Sequence, residues 1–314
     1  MVHSRSIPLV LFALFGTGLA QAVNGFNFNK PTGGPPGSYF AAGSSIPVTA
    51  LQSAAATAST AVPDGTYPIN RENGAQEVTI HSDWANFSQG AAYVWIADMD
   101  VDCDGIDYMC KEDADGLNQT NFGALAAYEV PFFVIPDRFG TQYAKQLPGN
   151  NIGAVICDGK MFYGIYGDSN GATPQVIGEA SWLMARTCFP NDNLNGNKGH
   201  SDADVTYIIF TGNNSVLPSS ALNTSYVTNF SILRSMGDKL VTSLAQNLGL
   251  PRPYWRLLSE KEIVLVPLAR PSMAVKWSGK VGNARMSDCN LVAVAGRCPR
   301  YVLIHGIRNP AVQD

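Results

Sequence analysis

Short apolar runs broken by Gly, Asn and Pro dominate the middle of the chain. Six of them, at 77–81, 91–97, 131–136, 152–157, 161–167 and 205–210, are rich in β-branched and aromatic residues and are predicted strands. Asp158-Gly159 sits between 152–157 and 160–167 and is a two-residue hairpin signal. The second arm of that hairpin delivers Asp168 at its end. Helical spacing appears near 227–248, where Phe230, Leu233, Met236, Leu240, Val241, Leu244 and Leu248 form one apolar face. Gly249 and Pro251 close that helix. A shorter helix is predicted over 178–188, opened by Glu179 and followed by Pro190. The stretch 47–61 suits a third, with Pro47 in its first turn. Residues 24–43 are rich in Gly, Pro and Asn and read as a flexible arm. Strands outnumber helices and the two do not alternate regularly. The expected fold class is α+β, β-rich, in a single compact domain, or a β-barrel with appended helices, rather than a doubly wound sheet.

The chain begins with a compartment label. Arg5 precedes a mostly apolar stretch from Ile7 to Leu19, and Ala20-Gln21-Ala22 is a small-x-small cleavage site. Residues 1–22 therefore read as a signal peptide, and 23–250 as one mature domain that is secreted and extracellular. The apolar stretch is short for a membrane span, so no membrane association is expected. Six cysteines, an even number, fit disulfides in a secreted chain. Cys103/Cys110 and Cys289/Cys298 are local pairs that leave Cys157/Cys188, although six cysteines admit fifteen connectivities. There is no Cys-x-x-Cys and His is scarce, which argues against zinc. Five Asn-x-Ser/Thr sequons, at Asn86, Asn118, Asn213, Asn223 and Asn229, mark possible glycan sites.

Charge divides the chain. Residues 1–250 carry 11 Lys+Arg against 21 Asp+Glu, a net −10, whereas 251–314 carry 10 against 4, a net +6. The acidic body favours cationic ligands and disfavours nucleic acid. The basic stretch 251–314 reads as a separate extension, dispensable for the chemistry of the rest.

Candidate chemistry lies in three places. Asp98, Asp100, Asp102 and Asp104 alternate after an apolar strand, so they are expected to share one face as an acidic wall for ammonium groups. Asp-x-Asp-x-Asp-Gly from Asp100 also opens a calcium-loop pattern, but position 12 is Lys111, where a bidentate Glu is required. No metal or cofactor is expected. Gly167-Asp-Ser-Asn-Gly171 matches the nucleophile elbow of serine hydrolases, with Ser169 as nucleophile. An elbow needs an immediate helix, and Ala172-Thr-Pro-Gln175 follows instead. Asp168 and Glu179, eleven residues apart, are a carboxylate pair of the kind that hydrolyses glycosidic bonds. Each has a simpler reading: a turn cap for Asp168, and a partner of a helix dipole for Glu179. Tyr166 and Trp182 lie close by in sequence and suit stacking on sugar faces, a role that competes with burial in the core.

Several motifs in order carry a resemblance. Met99–Gly105, Cys157–Gly171, Gly178–Ser181 and Cys188-Phe-Pro-Asn191 with Gly199-His200 closely resemble the fungal chitosanases of glycoside hydrolase family 75. The resemblance runs from about 40 to 250. It implies a secreted, inverting endo-hydrolase of chitosan, acting as a monomer. It places the essential carboxylates on Asp168 and Glu179, with Asn170 and His200 beside the substrate. A double-psi-like β-barrel is expected by analogy. Residues 251–314 lie outside the resemblance. The alternatives are a non-catalytic polysaccharide-binding protein, which releases no reducing ends, and the Ser169 esterase.

Overall fold

The computed structural model describes residues 29–250. Eight strands run β1 (Ala61–Pro68), β2 (Glu77–His81), β3 (Ala92–Asp102), β4 (Phe132–Pro136), β5 (Ile152–Cys157), β6 (Lys160–Asn170), β7 (Glu179–Ser181) and β8 (His200–Phe210). The helices are α1 (Val48–Ala55), α2 (Asp137–Gln142), α3 (Trp182–Cys188) and α4 (Phe230–Asn247). The strand order is β1-β2-β3-β7-β4-β6-β5-β8, and β3 also pairs with β8. That last pairing closes six strands into a barrel and leaves β1 and β2 outside it. The α+β, β-rich expectation holds.

The hairpin forms as its sequence predicts. Asp158 and Gly159 both have positive φ, 46° and 67°, the turn geometry that matches strand twist. The barrel interior is filled by Trp95, Phe133, Tyr207 and their neighbours, all buried. Gly153 permits this packing, because a Cβ there would overlap the Phe133 ring.

Glu179 does not open a helix. It begins the short strand β7, and α3 starts three residues later. Ser181 separates the two elements: its Oγ accepts from the Met184 N–H at 3.3 Å as an N-cap and from the Phe132 N–H at 3.2 Å on β4. The barrel thus claims Glu179–Ser181 before the helix can begin.

Disulfides Cys103–Cys110 and Cys157–Cys188 are formed. Cys289 and Cys298, like the expected signal peptide 1–22 and the extension 251–314, lie outside the described residues. The described part of the expected flexible arm is pinned. Phe40 is buried against Phe162 and Phe230. The Pro31 carbonyl accepts from Trp182 Nε1 and Arg186 Nη1, both at 2.8 Å. No described helix is long and apolar enough to cross a membrane.

Candidate active site

Strand register builds the site. Asp100 on β3 pairs with Glu179 on β7. Phe133 on β4 pairs with Ala180, which brings Val134 abreast of Glu179. Val134 in turn pairs with Asp168 on β6. The β4–β6 register shifts between Phe133 and Val134, because Phe133 faces Tyr166 and Val134 faces Asp168. Gly167 is the extra residue, and this bulge puts Asp168 rather than Gly167 in the row. Asp100, Glu179, Val134 and Asp168 therefore lie side by side across four strands. Asp168 and Glu179 are two strand spacings apart, roughly 10 Å between Cα atoms.

All four line a cleft of about 490 Å³, with Asp102, Asp104, Asp113, Asp115 and Asn170. Among the described residues, seven carboxylates meet two cations there, Arg71 and Lys198. Burial in this crowded site raises the pKa values of Asp100, Asp102, Asp104, Asp113, Asp168 and Glu179. Asp168, 3% exposed, is pushed up to about 7 by burial, although backbone N–H groups of Asn121 (3.0 Å) and Ser169 (2.8 Å) donate to its Oδ1 and favour its charged form. Glu179 is also raised to about 7 by burial. The Asn170 amide, donating to both its oxygens at 3.1 and 3.0 Å, pulls the other way, as does Arg71. Burial raises Asp100 and Asp104 to about 6 each. It also lifts Asp102 well above the ordinary range, with the Asp168 and Glu179 charges adding to the effect.

The expected acidic wall is shorter than the sequence suggests. Asp100, Asp102 and Asp104 reach the cleft. Asp98 lies below it, 3% exposed, with Oδ1 unpartnered and directed at Gly178. Burial and the Asp100 charge hold its pKa near 8, so it is a neutral acid at neutral pH. Tyr166 and Trp182 are core residues rather than cleft walls. Tyr166 packs on Phe122 and against Gly140, while Trp182 packs edge-on to Tyr128 and bonds to the arm. Their aromatic character is spent on packing. Asn170 lines the cleft but its amide is committed to Glu179. His200 stacks on Phe189 and bonds Asp192 at 2.6 Å and Asp204 at 3.1 Å. Its neighbour Gly199 lines the cleft in its place.

The esterase pattern fails on geometry. Ser169 lies inside β6, donates to Asp137 Oδ1 at 3.2 Å and accepts from Asn121 Nδ2 at 2.7 Å. Neither described histidine, His81 or His200, bonds to it. Asp102, Asp104 and Asp168 each bring a carboxylate oxygen within 4.8 Å of the others. Calcium takes six to eight oxygens, so these three single ligand atoms would be only part of its shell. Sequence reasoning missed Arg71, Val134, Asp113 and Asp115 in the cleft and Asn121 behind Asp168. Asp113 and Asp115 follow an acidic loop and were accessible from composition; Arg71 and Asn121 carry no local signal.

The raised carboxyls set a stability trend. Each binds its proton more tightly folded than unfolded, where Asp and Glu titrate near 4. Between about pH 4 and pH 8 the folded protein therefore holds more protons, and stability falls as pH rises. The melting temperature is expected to drop from pH 5 to pH 8, with Asp98→Asn flattening the upper end. A melting temperature that climbs over this range contradicts the assignment.

Comparison with known proteins gives the family. The family described as fungal chitosanase of glycosyl hydrolase group 75 matches residues 99–243. Endo-chitosanase C of Aspergillus oryzae is 63% identical over 292 residues, covering 91% of this chain and 76% of that protein. An alignment of that extent reaches well past residue 250 wherever it begins. Endo-chitosanase C from A. oryzae strain ATCC 42149 / RIB 40 is 62% identical over 242 residues, 76% of this chain and 62% of that protein. Endo-chitosanase of Aspergillus fumigatus is 35% identical over 164 residues, 46% of this chain and 68% of that protein. The matched residues include the whole row from Asp100 to Glu179, and the chain belongs to the fungal chitosanases of glycosyl hydrolase group 75.

Proposed function

We propose that this chain is a secreted, monomeric endo-chitosanase that hydrolyses β-1,4 linkages between glucosamine units with inversion. The proposed catalytic unit is 23–250. The observation that carries the proposal is the placement of Asp168 and Glu179 abreast in a cleft of seven carboxylates. A polymer bearing an ammonium on most sugars suits that field. Two strand spacings leave room for water between the pair, which inversion needs: roughly 6.5–9.5 Å between carboxyls, against about 5 Å for retention.

Glu179 is the general acid. It enters protonated and gives its proton to the leaving glycosidic oxygen. Asp168 is the general base. The two backbone N–H groups on its Oδ1 favour the carboxylate, and it draws a proton from the water attacking the opposite face of the sugar. Asn170 orients Glu179 through both its oxygens. Asp100, Asp102 and Asp104 seat the ammonium groups.

The test is viscosity measured with reducing-end release on chitosan, chitin and carboxymethyl cellulose. Chitosan viscosity should fall before many ends appear, and rates should weaken as salt screens the cleft. Equal rates on cellulose and chitosan overturn the proposal.

A further inference from the structure

Among the described residues, four large apolar side chains are exposed: Ile106 (39%), Tyr108 (38%), Met109 (77%) and Leu117 (63%). They fall within twelve residues of sequence, on one loop beside the cleft. Scattered exposed apolar residues are ordinary, but a cluster marks a contact surface.

The loop is built to present them. Cys103–Cys110 closes its first turn. The Gly105 N–H donates to the Leu117 carbonyl at 2.8 Å, so the two ends of the loop lie together. Gly116 packs against the Tyr108 carbonyl so closely that a Cβ would overlap it. The Leu117 N–H donates to Asp104 Oδ1 at 2.6 Å, and Asp104 reaches within 4.8 Å of an Asp168 oxygen. Glu112 ties the far side of the loop to Asn195 and Asn197. Gly116 and Leu117 therefore line the cleft, and the backbone of Tyr108, next to Met109, lies against Gly116. Asp113 and Asp115 stand in the same loop.

We infer that the Cys103–Cys110 loop is a substrate subsite, an apolar shelf on which a pyranose ring of the polysaccharide lies beyond the Asp104 end of the cleft. This rests on the reading of the cleft as a chitosan site. A sugar ring has an apolar C–H face that packs on Tyr, Met and Leu side chains. A glucosamine ring adds an ammonium, which Asp113 and Asp115 attract and which a tyrosine ring face also favours. Apolar contact with acidic groups alongside fits such a ring, and it is continuous with the cleft rather than a separate surface.

The experiment uses the full chain. Tyr108→Ala with Met109→Ala should raise KM for polymeric chitosan about tenfold, with kcat changed less than twofold and an unaltered melting temperature. In a Glu179→Gln background, calorimetry with a glucosamine hexamer should show binding weakened by a similar factor. That second measurement reads binding without turnover once the Glu179→Gln protein is shown to leave the hexamer intact; cleavage of the hexamer there would fail the Glu179 assignment, not the subsite. The double variant should also shift the lengths of products released from the hexamer. Unchanged KM, hexamer affinity and product lengths would overturn the inference. So would a loss confined to kcat, which marks a structural loop, or a change confined to self-association, which marks an interface between copies of the chain.

Discussion

Glu179→Gln is expected to fold as the parent does and to lose about a thousandfold or more in turnover. Proton donation by a positioned acid is worth roughly 10²–10⁴ in rate. Gln keeps one oxygen to accept from the Asn170 amide, so one of the two contacts to it survives. Asp168→Asn should lose a similar factor. Its remaining oxygen still accepts from the Asn121 and Ser169 N–H groups, but the neutral amide cannot take a proton from water. Circular dichroism, melting temperature and initial rates on chitosan decide the matter together. A folded variant with more than a tenth of parental activity at either position removes that residue from the chemistry.

Gly178→Ala should damage both stability and activity. Gly178 has φ of 103°, a conformation that side chains resist, and a Cβ there would overlap Asp98 Oδ1. Strain of this kind costs about 1–3 kcal/mol before the clash is counted. The backbone can relieve it only by moving the next residue, which is Glu179. A displacement of about 1 Å at a reacting group costs on the order of 10² in rate. Asp98→Ala combined with Gly178→Ala should restore part of both losses, because the overlapping carboxyl is gone. A Gly178→Ala protein with parental rates would mean that the close packing beneath Glu179 does not set its position.

The parts legible in the sequence were those with a strong local signal. Ile152–Cys157 is bounded as predicted, because Asp158-Gly159 fixes the turn and the strand is apolar throughout. The face of α4 was clear from its spacing, and Asn229 sets its start by accepting from the Ile232 N–H. The observed β3, β6 and β8 run longer than their apolar patterns. The extra segments of β3 and β6 are polar where they face the cleft, at Asp100 and Asp102 and at Asp168 to Asn170, whereas that of β8, from His200 onward, is polar because it is largely exposed. Residues kept for binding and chemistry break the pattern that would announce the strand. β1 was hidden for another reason. Pro63, Asp64, Gly65 and Pro68 are poor strand formers, tolerated at a bulged strand outside the barrel.

The site was legible in its residue types more than in its roles. Asp168 and Glu179 stood out as a pair, but their alignment depends on β4, which is more than thirty residues away from either in its register partners. Nothing local shows that Val134 lies between them. Alternation placed four acids on one wall, yet three reach the cleft and Asp98 sits one layer below. Tyr166 and Trp182 were ambiguous for a simple physical reason: an aromatic ring suits a core as well as a sugar, and burial is decided by distant partners such as Phe122 and Tyr128.

The most direct test of an Asp168/Glu179 pair set two strands apart is the configuration of the first product. Proton NMR of a glucosamine oligomer during the earliest minutes of hydrolysis, before mutarotation, reads the new reducing end. Water attacking from the Asp168 side while Glu179 protonates the leaving oxygen must yield the α-anomer. A β-anomer at first detection would mean that one carboxylate attacks the sugar itself, and would contradict the account.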